Sequence, residues 1–139
     1  MNAPLYTLEV LRLAGSLPEP VTLERVDGSA ELRSPTCGST VYSEVQLKDG
    51  RVTALSQQVQ ACAFGQASAA LVARNAPARN RNEIAAALDQ LAAWLSGDRS
   101  ASPDWPGIDA LAPARSRQSR HGAILLPFRA LLAAMDGGR

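Results

Sequence analysis

An α+β fold is predicted by three features of the sequence. Apolar and polar residues alternate on both sides of an Asp-Gly turn at Asp49-Gly50. Apolar residues recur at helical spacing before and after that hairpin, and the period changes sharply at Ala61. The expected architecture is a three-stranded antiparallel sheet flanked by helices, with residues 1–139 as one domain.

The elements follow in order. Leu5, Leu8 and Leu11, with Val10 and Leu13, form a helical stripe over Leu5–Ala14, stopped by Gly15 and Pro18. Pro18-Glu19-Pro20 reads as an extended connector. Short alternation from Val21 to Arg33 predicts one or two strands, with Asp27-Gly28 as a turn between them. Ser34-Pro35-Thr36-Cys37-Gly38 is a loop. Thr40–Leu47 alternates: Val41, Val45 and Leu47 face one way, and Tyr42, Glu44 and Gln46 the other. Lys48-Asp49-Gly50-Arg51 is a hairpin turn, and the return strand runs from Val52 to about Gln60. One face of such a sheet is expected to be wet.

Beyond Ala61 the pattern is helical. Phe64, Ala67, Leu71 and Val72 mark one helix that ends near Asn75-Ala76-Pro77. Asn82-Glu83 opens a second helix with Ile84, Leu88, Leu91 and Leu95 on one side, ending at Ser96-Gly97. The stretch from Asp98 to Ser119 reads as a loop anchored through Trp105. A last helix starts near His121 to Ala123, and Pro127 is compatible with it if it lies in the first turn.

Composition narrows the function. Fourteen Lys and Arg against 13 Asp and Glu give a net charge of +1, without the basic excess of a protein that holds nucleic acid by phosphate neutralisation. Hydrophobic residues make up 46% and aromatics only 4%, so Leu, Val, Ile and Ala must build the core. No apolar run approaches the roughly 20 residues of a membrane span, and the first residues show no signal-peptide pattern. These features predict a soluble cytoplasmic protein with neither a nucleic-acid nor a membrane partner. Phosphate-binding, dinucleotide-binding, zinc-protease and GxSxG nucleophile motifs are absent from the sequence.

Three residues carry candidate chemistry. Cys37 sits in a Pro/Gly loop before a strand, and Cys62 sits between a strand and a helix start, where the helix dipole favours a thiolate. Their 25-residue separation is no local clamp, and taken alone it favours two buried structural cysteines over a shared site. His121, the sole histidine, is either a capping residue or a metal ligand or proton carrier. Glu83 and Asp89 read as solvated helix-face charges. Arg115, Arg117 and Arg120 are either solvated or a dock for an acidic partner.

Three segments carry a family resemblance. Ser34-Pro35-Thr36-Cys37-Gly38 resembles the NPxCGD loop of the IscU/SufU/NifU N-terminal iron–sulfur scaffold family. Ala61–Ser68 is similar to its GC-x4-AS segment. Arg120–Phe128 resembles its R-x-x-C-x-x-L-P-W segment. The order matches along nearly the whole chain, and the long segment between the last two motifs is more like the SufU branch. The resemblance implies one exposed site where three cysteines and an aspartate hold zinc or a nascent cluster, with sulfur received from a cysteine desulfurase and clusters passed to apo-proteins. Cys37 and Cys62 match two of those ligands, and Cys62 is the implied sulfur acceptor. Ser39 stands at the aspartate and Ala123 at the third cysteine. His121, two positions before Ala123, is the substitute ligand to test. Four readings follow: a divergent scaffold, a degenerate paralogue that only docks the sulfur-transfer machinery, a persulfide carrier on Cys62, and two thiols that oxidise to a disulfide.

Overall fold

The computed structural model describes residues 6–35 and 37–137. Leu5 of the first helical stripe and Thr36 of the first loop lie outside them.

Helix α1 spans Leu8–Gly15, and the Thr7 hydroxyl accepts from the Val10 N–H at 3.1 Å to cap it. The buried side is not the expected leucine stripe. Val10 is fully buried, with Leu13 and Ala14 packed against the core, while Leu8 and Leu11 are exposed. Tyr6 stacks at a tilt on Phe64, 5.1 Å between ring centroids, so the approach to the helix is pinned against the core.

Residues 17–27 run without regular structure, and Val21 N–H donates to the Ser56 hydroxyl at 3.0 Å. Only one strand forms here, β1 at Gly28–Arg33. Asp27-Gly28 is not a turn. The Asp27 carboxylate accepts from the Leu47 N–H at 2.7 Å and from Arg25, which docks the segment on the next strand. Gly28 opens β1 because a Cβ there would run into the Ala134 carbonyl.

Strands β2 (Thr40–Lys48) and β3 (Arg51–Gln60) complete an antiparallel sheet of order β1-β2-β3. Asp49 and Gly50 both take positive φ, 53° and 77°, as a two-residue hairpin turn of matching twist requires. The register pairs Val41 with Val59, Ser43 with Gln57 and Val45 with Leu55 on the inner face. Tyr42, Glu44 and Gln46 stand on the other face, half-exposed, as the alternation predicts.

Helix α2 (Ala63–Asn75) packs beside β3, and α4 (His121–Met135) packs on β1 and β2 and against α2. Helix α3 (Arg81–Ser96) lies on α4. It starts one residue earlier than the sequence suggests, because Asn80 and Glu83 form a reciprocal capping box. Glu83 is therefore engaged at the helix start and pairs with Arg51 at 3.0 Å. Asp89 is exposed on the helix face.

The stretch expected to be loop from Asp98 to Ser119 holds two 3-10 helices, Ile108–Ser116 and Gln118–Arg120. Ile108, Leu111 and Ala114 are buried, so short apolar spacing turns the segment into part of the core. Trp105 anchors it, as expected: its indole N–H donates to the Leu71 carbonyl at 3.0 Å, and its ring meets Phe128 edge-on. Helix α4 begins at His121, so Pro127 lies in its second turn rather than its first. The helix continues, and the Ala123 carbonyl loses the N–H that a non-proline residue would offer it. Among the described residues, no helix is long and apolar enough to cross a membrane.

Candidate functional site

The sheet register brings the first two motifs together. Thr40, the first residue of β2, pairs with Gln60, the last of β3. Cys37 precedes that pair by three positions and Cys62 follows it by two, so both hang from the same end of the sheet.

The Cys37 loop is tightly closed. Ser34 N–H donates to the Ser39 carbonyl at 2.8 Å, and Gly38 N–H to the Ser34 carbonyl at 3.1 Å. Gly38 at φ 72° permits the reversal. Ser34 and Ser39 are buried while Cys37 is exposed. Packing around the sulfur pushes the thiol up. Hydrogen bonds from the Ser34 and Ser39 hydroxyls and the Ser39 backbone outweigh this, aided by the charge of Arg120, and hold Cys37 below the ordinary thiol value. The Cys37 sulfur lies 3.0 Å from the Ser39 hydroxyl oxygen.

Cys62 is the residue before α2, in extended backbone, and its side chain makes no capping hydrogen bond. It is half-buried against the core. Its carbonyl accepts from Gln66 N–H at 2.9 Å, and the Gln66 side chain donates to the Ala61 carbonyl. The start of α2 is thereby fixed.

The third motif completes the convergence. A Cβ on Gly65 would sit 3.3 Å from both the Cβ and the carbonyl oxygen of Ala123. The Ser68 hydroxyl donates to the Ile124 carbonyl at 2.6 Å. The α4 start is thus locked to the first turns of α2, and the charge of Arg120, just before α4, acts on Cys37.

The donor set at this end of the molecule is sparse. Ala123 is buried and offers only a methyl group. His121 turns Nε2 toward the Ala114 and Arg115 carbonyls, at 2.9 and 3.2 Å. Carbonyls only accept, so Nε2 carries the proton and Nδ1 is the nitrogen left to ligate. Among the described residues, no three His, Cys, Asp or Glu side chains come together as a metal site. Zinc and [2Fe–2S] clusters take four donors, mostly thiolates. Two thiols and a neutral hydroxyl do not fit a group held by one chain.

Arg115 is not available as part of an acidic-partner dock. It donates to the Trp94 and Arg99 carbonyls and lies over the Trp94 ring. Arg117 is exposed. Sequence reasoning missed Ser34 and the effect of Arg120 on Cys37. The serines on either side of the Cys37 loop were the available signal.

Comparison with known proteins adds the family. No family model matches the chain, and no curated protein is similar to it. Among solved structures, the N-terminal part of a nitrogen-fixing NifU-like protein from Brucella abortus is 31% identical, over 96% of this chain and 94% of that one, with a TM-score of 0.89. A putative iron–sulfur cluster assembly scaffold protein for the SUF system from Fervidobacterium islandicum AW-1 shares the fold at 15% identity, covering 94% and 96%, with a TM-score of 0.76. A hypothetical protein shares it at 19% identity, covering 93% and 97%, with a TM-score of 0.70. The identity and near-complete coverage of the first match, on a sheet and helices that coincide, place this chain in the IscU/SufU/NifU N-terminal-like family.

Proposed function

We propose that this protein is a scaffold-like component of iron–sulfur cluster assembly that accepts sulfur from a cysteine desulfurase, with Cys37 and Cys62 as its working thiols. The observation that carries the reading is the convergence of the three family segments at one end of the sheet, with both motif cysteines kept there.

The chemistry is thiol–persulfide exchange. A thiolate attacks the terminal sulfur of the donor persulfide; the donor's S–S bond breaks, a new one forms, and the donor cysteine leaves as thiolate. From sequence, Cys62 is the acceptor. Exposure and the hydrogen bonds that favour its thiolate make Cys37 the better first recipient for a bulky donor. A nascent cluster or zinc would be cargo, with Cys37 and Cys62 giving two thiolates and the remaining donors coming from outside the chain. A role for His121 would use Nδ1, or require Nε2 to leave its two carbonyls.

Incubation with a cysteine desulfurase and cysteine, read by mass spectrometry, tests this. One added sulfur on Cys37 or Cys62, or its release as sulfide, absent from the Cys37→Ser/Cys62→Ser double variant, is the expected result. A wild type that neither gains sulfur nor releases sulfide sinks the proposal.

The buried methyl at Ala123 favours a second reading, a paralogue that docks the sulfur-transfer machinery without carrying sulfur. That reading predicts a desulfurase complex that forms equally well with the double variant, and no sulfur on either cysteine.

A further inference from the structure

We infer that Cys37 and Cys62 form a resolving pair: sulfur taken up on Cys37 is released as sulfide when the Cys62 thiolate attacks the Cys37 sulfur. The inference rests on the sulfur-accepting reading above and goes beyond it, because it assigns a product and a separate role to each thiol.

Three observations carry it. The first is placement. Neighbouring strands lie about 5 Å apart, and a disulfide needs Cα atoms within about 7 Å. The cysteines hang from the paired residues Thr40 and Gln60, and the Cys37 loop turns on Gly38. The second is asymmetry. Cys37 is exposed where a donor can reach it, and Cys62 is half-buried at the start of α2, at the same end of the sheet. An exposed acceptor backed by a shielded thiol suits uptake followed by internal attack. The third is what the site lacks. Ala123 and Ser39 supply no thiolate or carboxylate, so the described residues do not by themselves complete a metal site to hold the sulfur once it arrives.

The step balances within the chain. Cys37 carries an S–SH group. The Cys62 thiolate attacks the inner sulfur, the Cys37–Cys62 disulfide forms, and the S–SH bond breaks. The terminal sulfur leaves with its proton as HS⁻. That sulfur is reduced from the sulfane to the sulfide level, and the two cysteines are oxidised together. Two equivalents of an external thiol return the pair to its starting state.

The test is a single anaerobic turnover without added reductant, using one equivalent of glutathione persulfide as the probe. Released sulfide and intact-protein mass are read together. In the wild type the expected product is about 2 Da lighter than the starting protein, with a Cys37–Cys62 peptide link and close to one sulfide per chain. In Cys62→Ser the added sulfur, about 32 Da, should stay on Cys37, with sulfide release on the order of tenfold slower. Cys62→Ala serves as a second variant if the serine disturbs the start of α2. A wild type that keeps the added sulfur, or releases sulfide as slowly as Cys62→Ser, overturns the pair and leaves sulfur acceptance standing. Failure of every form to gain sulfur or lose sulfide overturns both.

Discussion

At the exit of the Cys37 loop, the Ser39 hydroxyl lies 3.0 Å from the sulfur, and Arg120 supplies positive charge. Both lower the thiol's pKa, so Ser39→Ala and Arg120→Gln should each raise it. The pH profile of iodoacetamide labelling at Cys37, read by peptide mass, should shift upward, toward the ordinary value of 9.0. An unmoved profile would mean that the Ser34 hydroxyl and the loop backbone set the thiol. Deeper in, the buried Ser68 hydroxyl bonds the Ile124 carbonyl across the α2–α4 contact. Ser68→Ala should cost about 1 kcal/mol in urea unfolding, since the carbonyl can still accept from its own helix. At this scale the sequence was readable where a residue type has a single use. Cys37 and Cys62 stood out, but Glu83 passed for a solvated charge, because a capping box shows itself only when the helix start is placed at Asn80.

Helix α3 carries a pH signature of its own. The Asn80 N–H, the first cause, and then Arg51 hold the Glu83 carboxyl below its ordinary value of 4.5. A lowered native pKa gives stability that is fully present above the unfolded value and is lost as pH falls through the folded one. The wild type should therefore weaken from about pH 4.5 downward. Glu83→Gln keeps a capping acceptor but cannot titrate, so its denaturation midpoint should vary less over that range. The strands were legible because the hairpin turn and the period-2 pattern agree. The false turn at Asp27-Gly28 shows the limit: the same dipeptide starts a strand here, because Asp27 reaches the Leu47 N–H across the sheet and α4 leaves no room for a Cβ on Gly28. No local pattern reports those contacts. The α1 leucines misled for a related reason, since the neighbour chooses which side of a short helix is covered.

Across the whole molecule, the Asp98–Ser119 segment changes status from loop to core. Trp105 is buried, holds the Leu71 carbonyl and meets Phe128, with Arg79 over its ring. Trp105→Ala should cost about 3–5 kcal/mol, measured by thermal or urea unfolding. The converged end of the sheet allows a constructive test as well. Ser39→Asp with Ala123→Cys restores the two donors that the family resemblance implies. Zinc affinity, measured by chelator competition, should tighten on the order of tenfold or more over the wild type. An unchanged affinity would mean that the α2–α4 contact, not the missing side chains, closes the site. The presence and order of the family segments could be read from the sequence; that His121 is turned away onto two carbonyls could not, because its partners belong to a stretch that looked unstructured. The connector at residues 17–27 has a further consequence. Strand β3 is an edge of the sheet; Pro18-Glu19-Pro20 runs alongside it across a groove, and Val21 N–H is tied to the Ser56 hydroxyl. Prolines present no N–H for a stranger's backbone to accept, so the connector guards an edge that would otherwise invite another chain to stack on it. The proposed sulfur chemistry needs one end of the sheet open, while the connector discourages pairing along its long side.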